Sequence, residues 1–169
     1  MKTQTNKGFS IIEIIIYLTI FSIMTVLIIN SLFLTIRSFA EIRINRELAE
    51  SGFVSMERIT REIREAQGVN MTDSILSTNP GILKLNSLDQ LGNPRIIEFY
   101  VDNLILKLKE NNILAGSLIG ENVEITNLIF ELITTNQGEA IKTEMFLRSK
   151  KENNQIKNFY NTTILRGEY

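Results

Sequence analysis

Side chains that could carry chemistry are sparse in this sequence, and the most informative one is Glu13. The 169 residues include no histidine and no cysteine, so the commonest general base and metal ligand and the thiolate nucleophile are missing. From Phe9 to Ile36, Glu13 is the single charged residue. A carboxylate in an apolar segment is costly unless it finds a partner. Glu13 therefore indicates a functional contact, or it lies near a membrane interface and points to the headgroups.

The apolar block around Glu13 predicts a membrane-spanning helix. Residues 1–8 are polar and carry Lys2 and Lys7, whereas no charge, proline or glycine occurs from Ile14 to Ile36. About 20 apolar residues suffice to cross a bilayer as a helix. The isoleucine content would also suit a buried strand, but the length of the block and its lack of turn residues favour helix. We therefore expect a transmembrane or filament-core helix over 9–36.

A secretory signal peptide is the simpler alternative for this block. Its apolar core is usually about 7–15 residues long and is followed by a small-residue cleavage site. Here the core is longer, and the small residue, Gly8, precedes it. Lys2 and Lys7 on the short N-terminal side predict an N-in, C-out orientation. Arg37 and Arg43 on the other side weaken that prediction without reversing it.

The segment K-G-F-S-I-I-E, from Lys7 to Glu13, resembles the processing site of type IV prepilins and type II secretion pseudopilins. The resemblance implies that 1–8 is a leader peptide, which prepilin peptidase removes between Gly8 and Phe9. It also implies N-methylation of Phe9 and an assembly role for Glu13 at the position of the family's glutamate. The implied partners are the peptidase, other pilin or pseudopilin subunits, an inner-membrane assembly platform and membrane lipid.

Elementary electrostatics agrees with the role that the resemblance gives Glu13. Cleavage would leave a positive α-amine on Phe9, since the ordinary pKa of such an amine is about 8. A charge-assisted contact between that amine and Glu13 of a neighbouring subunit would satisfy both groups in apolar surroundings. It would also set the axial register between subunits.

The next segment, 37–67, predicts an amphipathic continuation of the helix, with Gly68 as its C-terminal stop. We expect its stripe to pack on a sheet, although a coiled coil is a possible alternative. The expected i,i+4 ion pairs would add only tenths of a kcal/mol each. The stripe comprises Ile42, Leu48, Ala49, Gly52, Phe53, Met56, Ile59, Ile63 and Ala66; the pairs are Arg43–Glu47, Arg46–Glu50, Glu57–Arg61 and Arg61–Glu65.

Residues 69–169 predict a β-rich globular domain, because short alternating segments are separated by turn residues. The expected fold is therefore α+β and pilin-like, with a long N-terminal helix packed on an antiparallel sheet. The predicted strands are Ile82–Leu88, Arg95–Val101, Leu104–Lys109, Val123–Ile133, Ile141–Arg148 and Lys157–Leu165, with turns at Asn93-Pro94, Asp102-Asn103, Asn136–Gly138 and Lys150–Gln155.

The sequence gives no support to an enzyme, a cofactor or a metal site. No phosphate-binding loop, dinucleotide fingerprint or zinc spacing occurs, and Asp73, Asp89 and Asp102 are too scattered for a calcium loop. The balance of 18 basic and 19 acidic residues gives no reason to expect nucleic acid. The pair Lys150-Lys151 is expected to be solvated.

The function that these features favour is a minor pilin or pseudopilin that takes part in the assembly or initiation of a pilus or pseudopilus. The helix lacks the proline that many major pilins carry, here the region of Asn30. The later segments ITNLIFEL and TTILRG loosely resemble J-type or W-type minor pseudopilins. A single-pass sensor or binding module that does not polymerise is the alternative, and it predicts no cleavage at Gly8. An anchored enzyme is disfavoured by the missing catalytic residue types.

Overall fold

The computed structural model describes residues 10–135, 138–151 and 155–165, and it confirms the predicted α+β fold. The chain divides after Ile42 into two compact units. The first contains the N-terminal part of helix α1, and the second contains the rest of α1 and the strands. The elements are α1 Ile11–Glu65, β1 Ala66–Val69, β2 Leu83–Leu88, β3 Pro94–Asp102, β4 Ile105–Glu110, β5 Ile113–Ser117, β6 Val123–Thr135, β7 Gly138–Ser149 and β8 Ile156–Ile164.

The strands form two antiparallel sheets instead of the single sheet that was predicted. One is a five-stranded meander in the order β1-β2-β3-β4-β5, and the other is three-stranded in the order β6-β7-β8. Strand β6 meets the first sheet locally, where the Ile125 N–H donates to the Leu104 carbonyl at 2.8 Å. Alternate side chains of both sheets and one face of α1 are buried in a common core, led by Phe99, Phe130, Leu48, Ile59 and Ile63.

Two tight hairpins differ from the predicted turns. Asn103 and Leu104 both have positive φ, 51° and 63°, and connect β3 to β4. The predicted turn at Asp102-Asn103 is therefore wrong by one position, because Asp102 still pairs with Ile105. Asn111 and Asn112, with φ of 51° and 66°, make a second such turn. Two-residue hairpin turns favour Asn because both central residues need positive φ, and this turn introduces β5, which the sequence analysis missed.

Helix α1 ends at Glu65 and not near Gln67, and the prediction that Gly68 stops the helix is wrong. Ala66–Val69 forms β1 directly after the helix. Gly68 lies opposite Asn86 of β2, and a β-bulge follows Ala66. The residues after the helix thus pair with β2, and the Ser87 hydroxyl donates to the carbonyl of Glu65, the last helical residue, at 3.3 Å.

The buried face of α1 in the second unit only partly matches the predicted stripe. Leu48, Met56, Ile59 and Ile63 are buried as expected, whereas Ile42 and Phe53 are exposed and Ala49 is half-buried. Small polar residues take the remaining places, because the connection between β5 and β6 lies against the helix. The Ser55 hydroxyl donates to the Leu118 carbonyl at 2.8 Å, and the Gly120 N–H donates to Ser51 Oγ at 3.2 Å.

A buried carboxylate, Glu62, joins α1 to the five-stranded sheet. Its oxygens lie 2.8 Å from Arg58 Nη2 and 2.6 Å from Arg95 Nη2, and Arg58 also contacts Glu110 at 2.8 Å. Burial raises the pKa of Glu62, while the two guanidinium groups oppose that shift. The four predicted i,i+4 pairs do not come within ion-pair distance in the described residues, although Arg43 still helps to lower the pKa of Glu47. An i,i+4 ion pair forms instead between Arg58 and Glu62.

Candidate membrane and assembly segment

The described part of α1 begins next to the predicted processing junction. The N–H groups of Glu13 and Ile14 donate to the Ser10 carbonyl at 3.0 and 3.3 Å. Glu13 therefore lies in the first turn, where an acidic side chain complements the positive end of the helix dipole. Gly8 and Phe9 lie outside the described residues, so cleavage and methylation there stay predictions.

Glu13 has a partner within its own helix that the sequence analysis missed. The Tyr17 hydroxyl donates to Glu13 Oε1 at 3.1 Å, and the Glu13 side chain is half-buried. The i,i+4 spacing of the two residues was the available signal, because such positions are neighbours on a helix. Within the described residues, the second carboxylate oxygen accepts no hydrogen bond. That oxygen remains available to a group from outside the described chain.

The helix that follows Glu13 exposes apolar side chains on all its faces. Between Ile11 and Ile42, the large apolar residues are 47% to 79% exposed. This unit therefore has no side-chain core of its own. Among the described residues, α1 is the one helix that is long and apolar enough to cross a membrane, judged by length and composition alone.

Four Ser and Thr hydroxyl groups in this segment are satisfied by the helix itself. Thr19, Thr25, Thr35 and Ser38 each donate to the carbonyl four residues earlier, at 2.8 to 3.0 Å. Such bonds remove the cost of an unpaired hydroxyl in hydrocarbon. Asn30 differs, since its carboxamide makes no side-chain hydrogen bond within the described residues. An amide in that position favours a hydrogen bond across to another helix.

The aspartates that were considered for calcium lie in three separate structural contacts. Asp73 pairs with Lys84 at 3.0 Å, and Asp102 pairs with Lys107 at 2.5 Å. Asp89 accepts hydrogen bonds from the side-chain amide and the backbone N–H of Asn93 and from the Leu91 N–H, and these bonds lower its pKa. Across the described ranges, no three acidic side chains come together as a metal site would require.

The basic pair Lys150-Lys151 is also engaged locally. The Lys150 Nζ donates to the Glu121 carbonyl at 2.8 Å, and Lys151 Nζ lies 3.5 Å from Glu47. The Asn122 side chain donates to Glu47 Oε1 at 2.7 Å, and this bond is the main reason that the pKa of Glu47 is lowered. These contacts hold the β5–β6 and β7–β8 connections together. The predicted turns at Asn136–Gly138 and Lys150–Gln155 fall partly outside the described residues.

Comparison with known protein families assigns the N-terminal segment. Residues 3–29 match the model of the prokaryotic N-terminal methylation motif. This range covers Gly8, Phe9 and Glu13 together with most of the apolar helix segment. Comparisons with curated proteins and with solved structures gave no match. The chain therefore carries the N-terminal methylation signature of type IV pilins and pseudopilins, at the start of a long helix that packs on antiparallel sheets.

Proposed function

We propose that the protein is a minor pilin or pseudopilin, a structural subunit that helps to assemble or initiate a type IV pilus or type II secretion pseudopilus. The observation that carries this proposal is the position of the methylation motif at 3–29, which continues into a helix segment with apolar side chains on every face. Such a segment suits lipid first and a bundle of like helices afterwards. No catalytic role is part of this proposal.

In this proposal, the protein enters the membrane N-in and C-out through 9–36. Prepilin peptidase removes 1–8 after Gly8 and methylates Phe9, and an assembly platform then passes the subunit into the filament. Glu13 is the residue that selects a neighbour, because its carboxylate has one oxygen bonded to Tyr17. The other oxygen is available to the Phe9 amine of an adjacent subunit. Breaking that contact would leave a charge in apolar surroundings, which costs more than the contact gains.

The competing candidate is a single-pass sensor or binding module that is anchored by the same helix and does not polymerise. It needs neither the junction at Gly8 nor the carboxylate at Glu13. The methylation motif therefore favours the filament subunit.

Mass spectrometry of the mature N-terminus distinguishes the two. In a host with an active prepilin peptidase, we expect the chain to begin at methylated Phe9. A Gly8→Leu variant in the same host supplies the matched control and is expected to retain Met1. Retention of residues 1–8 by the wild type under these conditions would exclude the proposal.

Glu13 is tested separately from cleavage. We expect Glu13→Val to be cleaved normally but to fail to enter filaments, because the amine of its neighbour loses its partner. Tyr17→Phe is the matched control, since it removes the hydrogen bond to Glu13 while keeping the carboxylate. It is expected to assemble. Sheared filaments, probed for each variant, give the measurement, and normal incorporation of Glu13→Val would disprove the role of Glu13.

A further inference from the structure

The two edges of the three-stranded sheet are treated differently. The middle of the outer edge of β6 is covered by the loop before β2: the Ser77 N–H donates to the Phe130 carbonyl at 2.7 Å, and the Gly81 N–H donates to the Leu128 carbonyl at 2.8 Å. Asn79 adds a side-chain acceptor for the Leu128 N–H at 3.0 Å. At the opposite edge, the described residues place no backbone partner along β8.

The register between β7 and β8 identifies the backbone groups that are left open. Leu165 N–H donates to the Glu139 carbonyl and Ser149 N–H to the Gln155 carbonyl, at 2.9 and 3.0 Å. Both bonds belong to the same antiparallel ladder as the pair Glu144 and Tyr160. Because hydrogen-bonded and non-bonded pairs alternate, the odd-numbered residues of β8 bond to β7. The N–H and C=O groups of the even-numbered residues therefore point to the open edge, namely Ile156, Asn158, Tyr160, Thr162 and Ile164.

The usual protections of an edge strand are missing from β8. Edges are normally blunted by charges, proline, bulges or short length. Strand β8 covers Ile156–Ile164 without a register shift, contains no proline, and carries Lys157 as its single charge. By contrast, β1 is short and bulged, and β5 has a bulge opposite β4 and a glycine at φ 151°. Strand β8 is thus the edge best suited to accept another strand.

The side chains of the open-edge residues read nearly the same in both directions. In chain order they are Ile, Asn, Tyr, Thr and Ile. An antiparallel copy centred on Tyr160 would place Ile156 opposite Ile164, Asn158 opposite Thr162, and Tyr160 opposite itself. Apolar, polar and aromatic pairs of this kind each stabilise a sheet. No like charges meet, since Lys157 would lie opposite Thr163.

There is also room beside β8 for a second strand. An open groove of about 620 Å³ runs along α1 next to β8 and is bounded by Phe53, Thr60, Arg64 and Asn161. Asn161 already bonds to Thr60 at 2.6 Å, and Phe159 contacts the Phe53 ring edge-on, so the inner face of β8 is fixed on the helix. An arriving strand therefore meets an ordered edge and loses little free energy to ordering it.

We propose that β8 is a self-association edge, at which a second copy of this chain adds its own β8 antiparallel and in register about Tyr160. The two three-stranded sheets would then form one six-stranded sheet. This proposal concerns the second unit and does not depend on processing at Gly8. A chain that fails cleavage would still pair, and a chain that fails to pair would still be cleaved.

Disulfide trapping tests the register directly, because the chain has no native cysteine. The full chain is prepared in detergent as Asn158→Cys and as Thr162→Cys, each with a different tag, and the two are oxidised together or apart. Directly opposed residues lie about 5.5 Å apart between Cα atoms, within disulfide range. Asn158 of one copy and Asn158 of the other would be offset by about 13 Å, too far for a bond. We expect on the order of tenfold more cross-linked dimer from the mixture than from either variant alone.

A charge at the centre provides the specificity control. Tyr160→Lys, added to both cysteine variants, would place two ammonium groups opposite each other and is expected to abolish the cross-link, whereas Tyr160→Phe keeps it. Leu114→Cys, on the exposed edge strand β5, should give only background dimer. Circular dichroism verifies that each variant is folded. Equal cross-linking in the mixed and separate samples would overturn the proposal, and so would the absence of cross-linking in the mixture. The second result is also the one expected if β8 pairs with a different protein.

Discussion

The two parts of α1 show how one helix can be stabilised in two different ways. From Ile11 to Ile42, the apolar side chains are exposed, and hydroxyls bond back to the helix's own carbonyls. From Arg43 to Glu65, a stripe that includes Leu48, Ile59 and Ile63 is buried against the protein core. The first part thus leaves its apolar surface for lipid or for other helices, and the second uses its apolar surface within the fold.

The two parts differ both in the amount of apolar surface and in its pattern along the helix. The first part has few polar positions and no buried face, so its sequence suits any apolar environment, whether lipid or other helices. The second part places small residues such as Ser51, Gly52 and Ser55 where strands or loops approach, so its sequence specifies a particular partner. A Cβ at Gly52 would lie 2.0 Å from the Phe159 ring. Strand β8 therefore approaches the helix too closely for any side chain at this position.

The largest expected effect on this contrast comes from truncating the buried stripe. Ile63→Ala should lower the free energy of unfolding of the globular unit by about 4 kcal/mol, because a fully buried side chain leaves a cavity. Ile29→Ala in the exposed part should leave it unchanged. Chemical denaturation of the full chain in detergent, followed by near-ultraviolet circular dichroism, measures both. Equal losses would show that the first part also packs on the globular unit.

The next largest effect comes from placing a charge on each exposed surface. Ile23→Lys should disfavour membrane insertion by about 3 kcal/mol, since a lysine near the centre of a span is costly. Val54→Lys changes an exposed apolar residue of the second part and should leave insertion unaffected. Carbonate extraction of membranes reports the fraction of each variant that is inserted. Full insertion of Ile23→Lys would argue against lipid as the medium of the first part.

A smaller effect is expected from the buried ion cluster of the second part. Arg95→Met should destabilise the protein by about 2 kcal/mol at neutral pH, because Glu62 keeps Arg58 but loses its other cation. The pKa of Glu62 is already raised by burial and would rise further. A raised carboxyl pKa means that stability falls as pH rises from the ordinary Glu value through the folded one. The unfolding midpoints of the wild type and Arg95→Met should therefore differ more near pH 7 than near pH 4. A loss of stability that does not depend on pH would contradict the mechanism.

The smallest effect concerns Glu47, whose pKa is lowered chiefly by the hydrogen bond from Asn122. A lowered carboxyl pKa adds stability above the ordinary Glu value that is lost as pH falls through the folded one. Asn122→Ala should remove roughly 0.5 kcal/mol at neutral pH and very little in acid. Thermal unfolding across acidic pH checks this. A loss that persists at low pH would mean that Asn122 acts by packing.

The elements that could be predicted from sequence are those that repeat a simple pattern. Residues 9–36 carry no charge after Glu13, and β2, β3, β6, β7 and β8 alternate over several positions, so their type was clear from local composition. The segment from Lys7 to Glu13 also predicted the N-terminal methylation motif, which the family model matches over 3–29. Each of these features depends on neighbours along the chain, which a sequence displays directly.

The missed features depend on contacts between distant segments. In the sequence, Glu62 is indistinguishable from the solvated charged residues of the helix. Its burial depends on Arg95 of β3, which is distant in the chain but lies beside it in the fold. Ser51 and Ser55 look like polar surface until the carbonyl of Leu118 and the N–H of Gly120 approach. The strand β5 was hidden because its turn, Asn111-Asn112, lacks the glycine that usually marks such hairpins.

The loop Ser77–Gly81 along β6 has a further consequence for any association through β8. A sheet that can grow at both edges adds copies without limit and becomes a fibre. Here the edge of β6 is occupied around its middle by bonds from the chain itself, to the carbonyls of Leu128 and Phe130. The loop therefore obstructs a further strand at that edge and disfavours growth of the sheet beyond two copies paired at β8.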